Sequence, residues 1–66
     1  MQNTIRVERA RKRITQAELA EKISVSRQTI HAIETGKFIP SAALAMKIAR
    51  FFKLKMEDIF QLDDED

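Results

Sequence analysis

Residues 16–37 restrict the fold more than any other part of the chain. In order they read Gln-Ala-Glu-Leu-Ala-Glu-Lys-Ile-Ser-Val-Ser-Arg-Gln-Thr-Ile-His-Ala-Ile-Glu-Thr-Gly-Lys. Apolar residues recur at helical spacing on both sides of Ser24-Val25-Ser26, which predicts two short helices around a tight turn. On a wheel of about 100° per residue, the second helix turns Ile30 and Ile33 toward a core, with Glu34 next to them. Its outer face carries Gln28, His31, Ala32 and Thr35, and Arg27 sits at the margin of that face in the first turn.

The flanking segments carry helix punctuation of their own. Thr15 and Glu18 have capping-box spacing, so a helix is expected from Gln16 to Ile23 that buries Ala17, Leu19, Ala20 and Ile23. Before it, Ile5 to Arg13 forms a first helix, with Ile5 and Val7 as apolar contacts and Arg6, Arg9, Arg11, Lys12 and Arg13 making it strongly basic. Val25 turns inward, and Ser26 can cap the third helix through its hydroxyl. The single glycine and single proline both lie after that helix. Gly36 can take the left-handed conformation that ends it, and Lys37-Phe38-Ile39-Pro40 forms the next loop. Ser41 caps a fourth helix with apolar positions Leu44, Ala45, Ile48, Ala49 and Phe52. A last short helix, Met56 to Phe60, supplies Ile59 and Phe60 as a lid, and residues 1–4 and 61–65 could pair as a short terminal ribbon. The expected fold is all-α, five helices in one domain over residues 1–66.

Length and composition agree with one small domain. Sixty-six residues support a modest core, and with no cysteine that core has neither a disulfide nor a thiolate metal site. His31 is the only histidine, so no zinc site, and no cofactor of any kind, is expected. One histidine among outward polar residues also lacks the nucleophile, base and orienting group that a hydrolase needs, so the chain does not read as an enzyme. No apolar run reaches membrane length and Met1-Gln2-Asn3-Thr4 does not begin a signal peptide, so a soluble, cytoplasmic protein is expected. The net charge of +2 hides a division. Residues 1–56 hold all 12 Lys and Arg against four acids, a balance of +8, while residues 57–66 hold six acids and no base, a balance of −6. A basic body suits a polyanion, because each phosphate contact releases condensed counterions. The acidic end, with the tail at 61–66, is expected to point away from that partner, and Asp63-Asp64-Glu65-Asp66 to be solvated and disordered.

Two helices around a tight turn, the second with a polar outer face, on a basic body, outline a helix-turn-helix at residues 16–35. The chain also resembles a known family, the Cro-type or Xre-type helix-turn-helix domain of phage repressors and small bacterial and archaeal regulators. The likeness covers about residues 5–60. It rests on Gln16-Ala17-Glu18-Leu19-Ala20, Val25-Ser26-Arg27-Gln28-Thr29-Ile30, Ile33-Glu34-Thr35-Gly36-Lys37, Pro40-Ser41 with Leu44, Ile48-Ala49, and Glu57-Asp58-Ile59-Phe60. It implies a five-helix lambda-repressor-like fold that binds double-stranded DNA. Three positions depart from the family pattern: Ser24 replaces a frequent turn glycine, Glu8 a frequent leucine, and Arg13 a frequent glycine or acid.

Residue roles follow from position and chemistry. In a helix lying in the major groove, Arg27 can take guanine O6 and N7 or a phosphate, and Gln28 can take adenine N7 and N6, Gln28 being the better placed. Ser26, Thr29, His31 and Thr35 complete the candidate DNA-contacting set, reaching thymine methyls, base edges or backbone. Lys37, with Arg13 and Arg11, would add sequence-blind phosphate contacts. The resemblance implies that Gln16 hydrogen-bonds a phosphate, and that Arg9 and Glu34 form a buried salt bridge joining the first helix to the end of the third. One reading helix covers few base pairs, so a homodimer on a two-fold operator is expected, with Phe51, Leu54, Met56, Ile59, Phe60 and Leu62 as its candidate interface. No membrane and no small-molecule ligand is expected as partner. The leading reading is a repressor. A protein-interaction module of the same fold, antitoxin-like or coactivator-like, and an RNA binder stay open at this point.

Overall fold

The computed structural model describes residues 1–64, so Glu65 and Asp66 of the acidic tail lie outside the described residues. Along the chain run β1 (Gln2–Asn3), α1 (Ile5–Lys12), α2 (Gln16–Lys22), α3 (Arg27–Glu34), α4 (Ala42–Phe52), α5 (Met56–Ile59) and β2 (Phe60–Gln61). Side-chain caps set most of the starts. The Thr15 hydroxyl accepts from the Glu18 amide at 3.0 Å while the Glu18 carboxylate accepts from the Thr15 amide at 3.0 Å, closing the capping box of α2. Ser26 caps α3 by accepting from the Thr29 amide at 3.1 Å, and Ser41 caps α4 by accepting from the Leu44 amide at 3.2 Å. The ends are set by backbone. Arg13 and Lys53 close α1 and α4 in the left-handed region, and Gly36, at φ 79°, follows α3 in the same region without steric cost. Ser24 turns α2 into α3 at φ 62°, where a side chain brings strain that glycine would avoid.

Ile5, Leu19, Ala20, Ile23, Ile30, Ile33, Ile48, Ala49, Phe52 and Ile59 form the core, with Ile14, Val25, Leu44, Phe51, Leu54, Met56 and Phe60 packed against it. Two expected core residues are outside it. Val7 is half exposed and Ala17 is exposed. Each stands two residues from a true core position, Ile5 or Leu19, which places it about 200° around a helix of 3.6 residues per turn. A helix that buries Ile5 therefore cannot bury Val7. Glu8 and Arg9 flank Ile5 instead, and the Glu8 side chain is 13% exposed, with Arg11 at 3.5 Å.

The terminal ribbon is present and shifted by one residue from the expected strand, since β2 begins at Phe60. The strands run antiparallel with Gln2 opposite Gln61 and Asn3 opposite Phe60. Asn3 does more than pair. Its side-chain amide donates to the Ile33 carbonyl at the end of α3 (2.8 Å), while its side-chain oxygen accepts from the Ile5 amide (3.2 Å). The Thr4 amide donates to the Ile59 carbonyl at 2.9 Å, so the first four residues tie α5 to α1 and α3. Asp63 accepts from the amino group of Met1 at 2.7 Å, so the acidic run is held at that residue.

Candidate nucleic-acid interface

The outer face of α3 is built on the buried pair Ile30 and Ile33, 0% and 1% exposed. With those two side chains in the core, Arg27, Gln28, His31 and Thr35 are exposed and Ala32 half-buried in their midst. Arg27 and Gln28 have no hydrogen-bond or ion-pair partner among the described residues, so their donors and acceptors are free for an incoming ligand. The hydroxyls of the same face are already engaged. Ser26 and Thr29 hydrogen-bond each other at 2.9 Å, and Thr35 donates to the His31 carbonyl at 2.9 Å. These three side chains thus hold the two ends of α3, which leaves the charged and amide side chains as its freer polar groups. Lys37, just beyond α3, and Arg11 and Arg13, at the end of α1, are exposed.

Behind this face the structure brings Arg9 and Glu34 together. Arg9 Nε donates to Glu34 Oε2 at 2.7 Å and Nη2 to Oε1 at 3.1 Å, a two-pronged contact between side chains only 15% and 6% exposed. The same guanidinium donates through Nη1 to the Ile14 carbonyl at 3.0 Å, so it fixes the α1–α2 loop as well as α3. Gln16 adds a bond the sequence did not suggest: its Nε2 donates to Glu34 Oε1 at 3.1 Å and lies 3.3 Å from His31 Nδ1. The amide group expected to reach a phosphate is, in the free protein, committed inward. Arg6, Arg9, Gln16, Arg27, His31, Glu34 and Thr35 line a cleft of about 340 Å³ beside α3.

Burial works to raise the Glu34 carboxyl, but the hydrogen bonds from Arg9 and Gln16 and the charges of Arg9 and Arg6 outweigh it and hold the group below the usual glutamate range. For Arg9, the hydrogen bond and charge of Glu34 outweigh burial and push the guanidinium higher. Because the Glu34 carboxyl is depressed in the folded state, the unfolded chain binds more protons there and stability rises with pH. The contribution is complete above the ordinary glutamate value of about 4.3 and is lost as the pH falls through the lower folded-state value. Thermal melts of wild type and Glu34→Gln should therefore converge on acidification, and a gap that does not change with pH would contradict this.

The candidate interface for a second subunit divides in two. Ile59 is fully buried in its own protomer, so it has no surface to offer, because α5 packs it against the core. Phe51, Leu54, Met56 and Phe60 are half-buried, and Leu62 is 76% exposed.

Two helices around a left-handed turn, the second anchored from behind and presenting exposed Arg and Gln side chains on a basic body, define a helix-turn-helix nucleic-acid reader. Comparison with known proteins agrees with that class. A family model described as Helix-turn-helix matches residues 5–59. The chain is similar to an uncharacterized HTH-type transcriptional regulator of Methanocaldococcus jannaschii, 53% identical over 66 residues and the full length of both. It is 46% identical over 65 residues to the uncharacterized HTH-type transcriptional regulator YgzD of Bacillus subtilis, covering 98% of each. A third HTH-type regulator, from Archaeoglobus fulgidus, is 50% identical over all of this chain and 94% of its own length. The chain belongs to the Cro/C1-type helix-turn-helix family of DNA-binding transcriptional regulators. Among the described residues, no helix is long and apolar enough to cross a membrane.

Proposed function

We propose that this regulator is a repressor that binds a two-fold operator as a homodimer and reads it with α3 in the major groove. The observation that carries the reading is the contrast on α3: Arg27 and Gln28 are exposed and without a partner among the described residues, while the helix beneath them is held by two buried isoleucines and the Arg9–Glu34 pair. Base readout falls to Gln28 and Arg27, whose side chains can make bidentate pairs with purine edges. His31 contributes a single ring nitrogen. Lys37, Arg13 and Arg11 supply phosphate contacts without sequence preference, and the acids Glu57, Asp58, Asp63 and Asp64 belong to a surface turned from the duplex. A second protomer covers Leu62 and the half-buried Phe51, Leu54, Met56 and Phe60, and sets two α3 helices about one turn of DNA apart. Repression then needs only occupancy, since a bound dimer blocks promoter DNA.

Selection of bound duplexes from a random library at physiological salt tests this directly. A palindromic consensus with half-sites one helical turn apart is expected, and equal retention of all duplexes would overturn the reading. Lys37→Ala should weaken every duplex alike and reduce the salt slope of binding by about one. A change confined to one position of the consensus would instead make Lys37 a base reader.

A further inference from the structure

We propose that Gln16 is a positioning residue that fixes the tautomer of His31, so that His31 presents a donor, Nε2–H, and selects a base edge that accepts. The proposal deepens the DNA reading above and rests on it for the placement of α3. It begins with a chain of hydrogen bonds in which each orientation dictates the next. Arg9 makes a two-pronged contact with Glu34, and an ionised carboxylate only accepts. The end of Gln16 that lies 3.1 Å from Glu34 Oε1 must therefore be its NH2, because its carbonyl oxygen would meet the carboxylate as acceptor against acceptor. An amide nitrogen carries two hydrogens. One goes to Glu34, and His31 Nδ1 lies 3.3 Å from the same nitrogen, placed to receive the other.

A neutral imidazole has one N–H and one bare nitrogen. If Nδ1 accepts from Gln16, the proton resides on Nε2. With Nδ1 turned to the cleft, Nε2 lies on the side of the ring away from Gln16, on a residue that is exposed on the outer face of α3. Unlike the amide of Gln28, which can donate and accept, His31 then reaches the groove as a donor only. In the major groove, guanine offers O6 and N7, adenine N7 and thymine O4 as acceptors, whereas cytosine offers the N4 amine as donor. The base addressed by His31 should therefore be any but cytosine. Buried Glu34 thus has two duties: it anchors α3 through Arg9, and through Gln16 it sets which partner His31 can recognise.

Two measurements test this on the full chain. Long-range nitrogen–proton NMR of the free protein should show Nδ1 bare and Nε2 protonated. In Gln16→Ala the two tautomers should mix, while the melting curve confirms that the variant folds. A protonated Nδ1, or a mixture already present in the wild type, overturns the proposal without any DNA being involved, and it needs no variant to fold. In the duplex selection, cytosine at the position lost in His31→Ala should be disfavoured about fivefold or more by the wild type, the low end for a mismatched pair, and within about twofold by Gln16→Ala. Selection of cytosine there by a wild type with the expected tautomer would overturn the acceptor rule alone. Absence of any preferred duplex would overturn the DNA reading, and the acceptor rule with it, while the tautomer result stands on its own.

Discussion

Glu34→Ala is expected to destabilise the protein by roughly 3–5 kcal/mol, the cost of stranding one member of a buried ion pair. The Arg9 guanidinium, 15% exposed, would keep only the Ile14 carbonyl as a partner, and the Gln16 amide would lose one of its two acceptors. For a chain of 66 residues such a loss is comparable with the whole stability, which runs at about 0.05–0.15 kcal/mol per residue. Urea unfolding should show a large fall in midpoint at unchanged slope or, at the upper end of the range, no folded baseline at all. The double variant Arg9→Ala with Glu34→Ala should recover part of the loss, because neither charge is then left unpaired. A Glu34→Ala protein that melts like the wild type would show that this pair does not hold α3.

Gln28→Ala should leave stability unchanged and relax the DNA consensus at one or two positions, at a cost of about 1–3 kcal/mol for the preferred sequence. Stability is spared because the side chain is exposed and bonds to nothing among the described residues. Specificity is lost because a bidentate amide has no substitute in a methyl group. The salt slope should stay as it was, which separates this variant from Lys37→Ala. Duplex selection with both proteins measures the difference. An unchanged consensus would remove Gln28 from direct readout and leave Arg27 as the bidentate reader.

The helices and their faces were legible in the sequence because the signals that set them act within a turn or two. Thr15 with Glu18, Ser26, Ser41 and Gly36 are local devices, and each works in the structure where its spacing puts it. A local apolar pattern misleads where the rotation of the helix is left out. Val7 and Ala17 are apolar and helical, yet the residues two places away already claim the core. The wheel placed the Glu34 carboxylate next to Ile33, and the family resemblance supplied Arg9 as its partner. Nothing in the spacing named Gln16 as a second donor, and nothing pointed to Asn3 as the residue that grips the end of α3.

By itself, the amino-acid order determined five helices, their boundaries to within a residue or so, the apolar stripes of α3 and α4 and the charge division between body and tail. Those properties depend on neighbours three or four residues apart, whose geometry a helix fixes in advance. Only the tertiary structure decided that Asn3 meets Ile33, that Met1 meets Asp63, and that Gln16 stands between Glu34 and His31. These partners lie 15 to 62 residues apart. No periodicity connects positions at such separations, so their pairing is set by how the helices pack.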